Sequence, residues 1–358
     1  MTAHPLMGVG LHAVGALSAA SCYTPMKKTP HWAWEIYWIS QATFAWLLLP
    51  ILGALLTIPD YFGILAACPP EVMLKTFALG FLYGSGGFAF GLAIRYIGFS
   101  LTYSISIGIS AALGTILPLF WTPTNGFVYQ LNKLFDSTPG LLVLAGIVLA
   151  VTGILTCGYA GALREQAEDQ NQRRYSFRIG IPLTIVAGVL SSVFNFALLA
   201  GEPLAKLAAE KGATELLSNN ALFPFSHGGA WAVNLIWCFF LIRRNKTAGQ
   251  FFRLPKSGSG GIGFYYLMAL LSGAFWYFQF FFYGMGHLNL GEKFNFVSWA
   301  IHMSLLILFS NIYGKVFREW ESASRWPKRV VHFGMAIIVV ATIIITYGNY
   351  LGEHLPTP

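Results

Sequence analysis

Charge is the scarcest feature of this sequence. Only 10% of its 358 residues are Asp, Glu, Lys or Arg, against about 25% in soluble globular proteins. With 56% hydrophobic residues and a mean hydropathy of +0.60, this scarcity excludes a soluble domain and indicates a polytopic membrane protein. We therefore attribute the formal charge of +8 to basic cytoplasmic loops in contact with a lipid bilayer, and not to nucleic-acid binding.

Cysteines and catalytic motifs are also scarce. The four cysteines stand singly, without CxxC or Cys/His metal-ligand spacing, at Cys22, Cys68, Cys157 and Cys238. We expect no disulfide framework, no metal site and no cofactor. The sequence contains no GxSxG or HExxH motif, and the Gly/Ser-rich stretch 258–261 lacks the Lys-Ser/Thr of a phosphate loop. These absences argue against an enzyme.

Long apolar runs make up most of the chain. Crossing a bilayer takes about 20 apolar residues, and ten runs have about that length: 6–26, 33–57, 73–94, 99–121, 140–161, 180–200, 221–242, 264–287, 293–314 and 330–351. They predict an all-α integral membrane protein with ten transmembrane helices. The first run is expected to be an uncleaved helix, because no positively charged segment precedes it as in a signal peptide. The connection 201–220 has the spacing of a separate short amphipathic helix.

The basic residues are distributed unevenly between the connections. Of the 22 Lys and Arg residues, only five lie at the ends or connections that follow even-numbered helices: Lys75, Lys133, Lys206, Lys211 and Lys293. All others belong to the opposite side, which the positive-inside rule assigns to the cytoplasm. Both termini are therefore predicted to be periplasmic, in a multi-pass protein of a bacterial inner membrane.

Two pairs of helices share short patterns. Predicted helices 1 and 6 both read Gly-x-Leu-Ser, at 15–18 and 188–191, and helices 3 and 8 share an aromatic and glycine spacing at 83–91 and 276–284. Five helices per half would insert the second half upside down, as in transporters that alternate access around a midplane site. The predicted organisation is a five-plus-five inverted repeat: 1–161, a cytoplasmic linker 162–179, and 180–358.

The stretch 276–287 is rich in aromatic residues and carries no charged face. Its rings can stack on the C–H surface of a sugar while the amide of Gln279 binds hydroxyls. A lipid- or core-facing aromatic stripe, with Tyr and His at the interface, is the alternative. A polar face of predicted helix 9 is expected to meet it and complete one pocket. The predicted substrate-binding residues are Trp276, Gln279, Tyr283, Asn195, Asn295, Trp299 and His302. Interhelical hydrogen bonding is the alternative role for the polar members.

No carboxylate occupies the centre of a predicted helix, so a proton carrier must be a histidine or an acid at a helix end. Imidazole titrates near neutral pH and can exchange a sugar hydroxyl for a proton. His302 and His12 are therefore the first proton-coupling candidates and Glu35 the second. Pairing of Glu35 with Lys27 or Lys28 is the alternative for that acid.

Several blocks of the sequence form a specific combination: 22–28 with 32–35, 95–100, 276–283 with 286–287, 298–304 and 318–320. Together these blocks resemble the L-rhamnose/proton symporter family of the drug/metabolite transporter superfamily. The resemblance extends over nearly the whole chain and implies a ten-helix inner-membrane symporter that imports a deoxy-sugar with protons. It assigns no proton carrier.

The predicted function is thus proton-coupled import of a monosaccharide, L-rhamnose or a related 6-deoxyhexose. The alternatives are an exporter, an importer of another small metabolite, and a polytopic membrane enzyme or structural membrane subunit. An enzyme would need a carboxylate or histidine cluster at the membrane interface, and the predicted loops contain none.

Overall fold

A computed structural model describes residues 4–97, 99–116, 134–168, 177–254, 261–291, 297–318 and 320–354. These residues form helices and turns, and no strand occurs among them. The helices are α1 (Pro5–Ser21), α2 (Trp34–Thr43), α3 (Leu49–Thr57), α4 (Tyr61–Ala67), α5 (Pro70–Ile97), α6 (Phe99–Ile116), α7 (Thr138–Glu168), α8 (Phe177–Glu210), α9 (Phe223–Asn245), α10 (Ile262–Asn289), α11 (Ser298–Val316) and α12 (Arg325–His354). A π-helical segment, Phe44–Leu48, joins α2 to α3.

Within the described ranges, eight helical stretches are long and apolar enough to cross a membrane. They are Pro5–Lys28, Trp34–Thr57, Pro70–Ile94, Thr138–Arg164, Arg178–Glu210, Glu215–Asn245, Ile262–Asn289 and Arg325–Gly352. Each matches one predicted apolar run, which confirms the all-α integral membrane class. The two other predicted runs overlap α6 and α11, which have 18 and 19 residues; residues 117–121 and 293–296 of those runs lie outside the described part.

The chain forms two compact units. The first unit comprises Met1–Leu17, Gly86–Asn195 and Met285–Pro358, and the second comprises Ser18–Ser85 and Phe196–Gly284. The unit boundaries fall inside α1, α5, α8 and α10, so each of these four helices contributes to both units. They are the helices whose sequence patterns suggested the repeat. The predicted repeat boundaries themselves stay a prediction.

Close helix packing in the first unit depends on glycines. A Cβ at Gly153 would lie 3.1 Å from the Gly334 carbonyl oxygen, and one at Gly334 would lie 2.8 Å from the Cys157 sulfur. The backbones of α7 and α12 therefore approach closely, as small residues allow between membrane helices. Gly188 packs in the same way against Ile109, where α8 meets α6.

The second unit is built around α2, α9 and α10. A Cβ at Gly273 would lie 2.6 Å from the Phe44 Cβ and 2.8 Å from the Gln41 carbonyl oxygen, so α10 passes directly against α2. The Tyr37 hydroxyl is hydrogen-bonded to Ser272, and the Ser272 hydroxyl donates to the Cys22 carbonyl at 2.5 Å. These contacts fix the register between α2 and α10.

One connection differs from its sequence-based prediction. Residues 201–210 do not form a separate amphipathic helix but continue α8 without a break to Glu210. The helix passes through Pro203, and Glu202 pairs with Lys206 at 2.8 Å on its exposed side. A short 3₁₀ helix, Glu215–Ala221, then leads to α9. The charged face that suggested an interfacial helix is thus the exposed end of α8.

Candidate functional site

Two buried histidines lie together in the first unit. His12 of α1 and His302 of α11 are both fully buried, and their ring centroids are 5.8 Å apart in a T-shaped arrangement at 71°. Glycine is required beside them, because a Cβ at Gly286 would lie 3.0 Å from the His12 Nε2 atom. The close approach of α1 to the end of α10 therefore sets the position of the His12 ring.

The two imidazoles are close enough for a charge on one to affect the other. Two positive charges at this separation, away from water, would repel strongly, so simultaneous protonation of both rings is unfavourable. Because the two rings interact, they titrate as a coupled pair, and one proton on the pair avoids that repulsion. An imidazole is also the side chain whose ordinary pKa suits proton exchange near neutral pH.

Other predicted residues of the first unit have hydrogen-bond partners in the protein. The Trp299 Nε1–H donates to the Ser110 hydroxyl at 3.1 Å, and the Asn195 amide donates to the Gly114 carbonyl at 2.6 Å. The Trp299 ring also stacks on Phe194 with a centroid distance of 5.9 Å. These contacts favour a packing role for Trp299 and Asn195, the alternative that their sequence positions left open.

His287, at the end of the aromatic stretch, also lies in the first unit. Its Nδ1 atom is 2.9 Å from the Ser298 hydroxyl, a hydrogen bond between α10 and α11. This bond orients one ring edge of His287. The start of α11 is thereby joined to α10 four residues before His302. Asn295 lies outside the described residues.

The rest of the aromatic stretch belongs to the second unit. Gln279 and Tyr283 are 3% and 1% exposed, and Trp276 is partly buried. The structure contains no hydrogen bond to the Gln279 side chain from any residue that it describes, although the amide can donate two and accept two. A buried amide that no described residue binds is suited to a polar ligand.

A group of tryptophans surrounds Trp276 in the second unit. The Trp276 ring meets Trp46 at 5.8 Å, and Trp46 meets Trp38 at 6.2 Å. The Trp38 Nε1–H donates to the Asn234 side chain at 2.8 Å, and the Trp231 Nε1–H donates to the Thr43 hydroxyl at 3.1 Å. We call Trp38, Trp46, Trp231 and Trp276 the tryptophan cluster.

Glu35 is buried at the start of α2 and is held by two neutral donors. The Asn245 amide donates to Glu35 Oε1 at 3.0 Å, and the Thr247 hydroxyl donates to the same atom at 2.8 Å. No salt bridge involves Glu35 in the described ranges, so the expected alternative, pairing with Lys27 or Lys28, is not observed. The carboxylate links α2 to the connection after α9.

The same two segments are joined a second time. The Ala33 backbone N–H, at the N-terminus of α2, donates to the Gln250 side chain at 2.7 Å. The Trp32 Nε1–H donates to the Gln250 carbonyl at 2.9 Å. Glu35 and Gln250 together connect α2 with residues 245–250, which favours a structural role for Glu35 over proton transfer.

Comparison with known proteins identifies the chain. The family model for the L-rhamnose-proton symport protein matches residues 1–350. The chain belongs to the L-rhamnose-proton symporter family. Three proteins named L-rhamnose-proton symporter illustrate the similarity. The one from Mannheimia succiniciproducens is 34% identical over 345 residues, covering 96% of this chain and 98% of the relative. Those from Enterobacter sp. strain 638 and Pectobacterium atrosepticum are each 32% identical, again over 96% of this chain and over 97% and 98% of the relatives.

Membership in the L-rhamnose-proton symporter family confirms the resemblance found in the sequence. It also confirms a transporter and excludes the polytopic membrane enzyme as the interpretation of the chain. The structure adds that two of the three proton-coupling candidates, His12 and His302, are adjacent. The predicted sugar-binding residues divide between the two units: Trp276, Gln279 and Tyr283 lie in the second, whereas Trp299, His302 and Asn195 lie in the first.

Three buried residues, Gln41, Trp46 and His227, were not among the candidates predicted from the sequence. Gln41 is a polar residue inside the second apolar run and should have been counted with the other membrane amides. Trp46 was one aromatic among many. His227 lies near the start of a run, yet it is buried, with Phe223, Tyr277 and Phe280 around its ring at 5.0, 6.5 and 4.8 Å. Only the packing seen in the structure distinguishes Trp46 and His227 from ordinary core residues.

Proposed function

We propose that this protein imports L-rhamnose, or a related 6-deoxyhexose, together with protons across the bacterial cytoplasmic membrane. The observation that carries the proposal is the family match over residues 1–350. It is supported by the relatives named L-rhamnose-proton symporter, which align with 96% of the chain.

The sugar contacts are assigned first to the α10 face of the second unit. Gln279 offers both donors and acceptors to hydroxyl groups, and the rings of Trp276 and Tyr283 lie three and four positions from it on the same helix. Residues at this spacing share one helix face. Aromatic rings cover the C–H surface and the methyl group that distinguishes a deoxy-sugar, while the buried amide rejects analogues that lack a bonded hydroxyl.

Proton coupling is assigned to His12 and His302. Binding of one proton to this pair changes its charge, and a charge in a protein interior away from water is costly unless it is compensated. A conformation that lets the pair reach water would therefore be favoured after protonation. The two equilibria are coupled in this way, since each ligand favours the state that the other also stabilises.

The topology proposed for this function has ten crossings. Eight of these crossings are the stretches that are long and apolar enough to cross a membrane. Helices α6 and α11 supply the other two, because both coincide with apolar runs predicted from the sequence. The five-plus-five inverted repeat and the placement of both termini in the periplasm are part of the proposal. Their support is the shared patterns of helices 1 and 6 and of helices 3 and 8, together with the uneven distribution of Lys and Arg.

Reconstitution into proteoliposomes tests the proposal. Labelled L-rhamnose should accumulate when an inward proton gradient is imposed, and it should exchange in counterflow without a gradient. A panel of other monosaccharides should compete less well than 6-deoxyhexoses. Absence of uptake and exchange with every monosaccharide would contradict sugar transport, and accumulation that ignores the proton gradient would contradict symport.

A further inference from the structure

Three buried N–H groups in the second unit have no hydrogen-bond partner in the described part of the chain. They are Nε2 of Gln41 and Nε1 of Trp46 and of Trp276. Gln41 and Trp46 are only 3% and 4% exposed. Buried polar groups in proteins are nearly always satisfied, so three unsatisfied donors in neighbouring elements require an explanation.

The donors are not the result of generally poor packing. In the same tryptophan cluster, the indole N–H groups of Trp38 and Trp231 each have a partner, Asn234 and Thr43. Four tryptophans thus divide into two that are hydrogen-bonded within the protein and two, Trp46 and Trp276, that are not. The unsatisfied pair are in ring contact with each other at 5.8 Å.

The local backbone of α2 and α10 sets this arrangement. Trp46 lies within the π-helical segment Phe44–Leu48, a rare helix form that is found frequently at functional sites. Gly273 allows α10 to approach the backbone at Gln41 and Phe44, which places Trp276 one turn further along α10. Helices α2 and α10 and the π-helical segment therefore position N–H groups that have no hydrogen-bond partner among the described residues.

The donors also define the chemistry of their ligand. Three N–H groups need acceptor atoms, which excludes a cation. An anion would need a compensating positive charge, and the only buried charged side chain recorded for the second unit's described residues is the acidic Glu35. A neutral molecule with several oxygen acceptors and an apolar face for the indole rings remains, and a monosaccharide has this composition.

We propose that Gln41 and Trp46 are substrate-binding residues, which together with Trp276 donate hydrogen bonds to hydroxyl oxygens of the transported sugar. This inference rests on the proposed function and extends the α10 face to a two-helix site. In this two-helix site, Gln41 of α2 and Trp46 of the adjoining π-helical segment supply donors and ring surface. Helix α10 supplies Trp276 and Gln279.

The test removes one donor at a time while keeping the shape of the side chain. Trp46→Phe retains an aromatic ring, and Gln41→Met has similar length without an amide. The matched control is Trp231→Phe, because its indole N–H is already bonded to Thr43. Counterflow in proteoliposomes without a proton gradient measures KM for L-rhamnose, and for analogues that each lack one ring hydroxyl.

Trp46→Phe and Gln41→Met should raise KM for L-rhamnose by about two- to tenfold, the range expected for one net hydrogen bond. Each should also lose the wild-type discrimination against one particular deoxy analogue. Trp231→Phe should leave both quantities unchanged. A structural role for Trp46 would alter stability or maximal rate but not the pattern across analogues.

If Trp46→Phe does not fold, benzothienylalanine at position 46 keeps the bicyclic ring and removes only the N–H. The inference would be overturned if Gln41→Met and the variant at position 46 both kept the wild-type discrimination against every analogue. The N–H groups at these positions would then not bind the sugar. That outcome leaves the proposed function intact as long as the wild-type protein exchanges rhamnose. Failure of the wild-type protein to exchange any monosaccharide contradicts the proposed function itself.

Discussion

The imidazole rings of His12 and His302 lie 5.8 Å apart, although one belongs to the first helix and the other to the eleventh. Both are fully buried in the first unit. A charge on either ring is costly in that setting and a charge on both is more so. Protonation of one ring therefore makes protonation of the other less favourable.

His302→Gln should keep exchange of L-rhamnose but lose its accumulation against a gradient. Glutamine fills a similar volume and retains hydrogen bonding, but it cannot carry a proton. Counterflow and gradient-driven uptake are compared in the same proteoliposomes. His12→Gln should give the same result, because the proposed function assigns proton coupling to both rings.

The control for this prediction is His332→Gln, which changes an exposed histidine of α12 and should accumulate sugar normally. Full accumulation in both His302→Gln and His12→Gln would remove the histidine pair from the coupling mechanism.

Gln279→Ala should raise KM for L-rhamnose by about tenfold or more, since a site built to bind a hydroxyl loses that contact completely. The variant removes an amide that no described residue binds, so stability should change little. Phe278→Ala, at the neighbouring position with 41% exposure, is the control and should keep the wild-type KM. Equal KM values for the two variants would argue that Gln279 does not contact sugar.

Gly114→Ala should destabilise the protein, because a Cβ at this position would overlap the indole ring of Trp299. Overpacking of this kind costs about 1–3 kcal/mol, and it should lower the temperature of unfolding measured by fluorescence-detected size exclusion in detergent. Gly87→Ala is the control, since no atom lies within 4 Å of a Cβ there. An unfolding temperature as high as the wild type's in Gly114→Ala would mean that Trp299 moves aside freely.

Glu35→Ala should lower stability by about 1–3 kcal/mol through loss of the charged acceptor for Asn245 and Thr247. Glu35→Gln retains one acceptor oxygen and should keep gradient-driven accumulation. A double-mutant cycle with Asn245→Ala measures the coupling between the two side chains. Normal stability in Glu35→Ala together with lost accumulation in Glu35→Gln would instead assign Glu35 to proton transfer.

Orientation is tested with introduced cysteines. All four native cysteines are buried, so background labelling by a membrane-impermeant maleimide should be low. Lys211→Cys and Arg244→Cys place thiols at exposed positions before α9 and in its last turn. In intact cells, cysteine 211 should react from outside and cysteine 244 only after the membrane is permeabilised. The reverse pattern would invert the proposed topology.

Sequence patterns predicted the membrane class and the positions of the helices well. Burial of a helix in lipid requires an uninterrupted apolar run, a property that can be read residue by residue. Scarcity of polar groups in those runs also directed attention to His12, His302 and Gln279. The continuation of α8 to Glu210 was missed because helical spacing is the same whether a helix lies on the membrane or extends from it.

Pairwise relationships between distant residues required the tertiary structure. Sequence placed Gln279 and His302 in one expected pocket, whereas the structure assigns them to different compact units. It paired Glu35 with the connection after α9 instead of with a nearby lysine. Nothing local separates Trp46 from Trp38, yet the indole N–H of Trp38 is bonded to Asn234 and that of Trp46 is unsatisfied.

The sequence by itself thus determined what kind of protein this is: its hydropathy sets the helices, the distribution of its charges predicts their direction, and its motifs give its family. The tertiary structure alone decided which polar groups meet, namely His12 with His302 and Glu35 with Asn245, and which donors are left for a ligand. The physical reason is that hydropathy acts on each segment separately. Hydrogen bonds and ring contacts, in contrast, depend on how helices that are far apart in the chain pack against each other, which their glycines allow them to do closely.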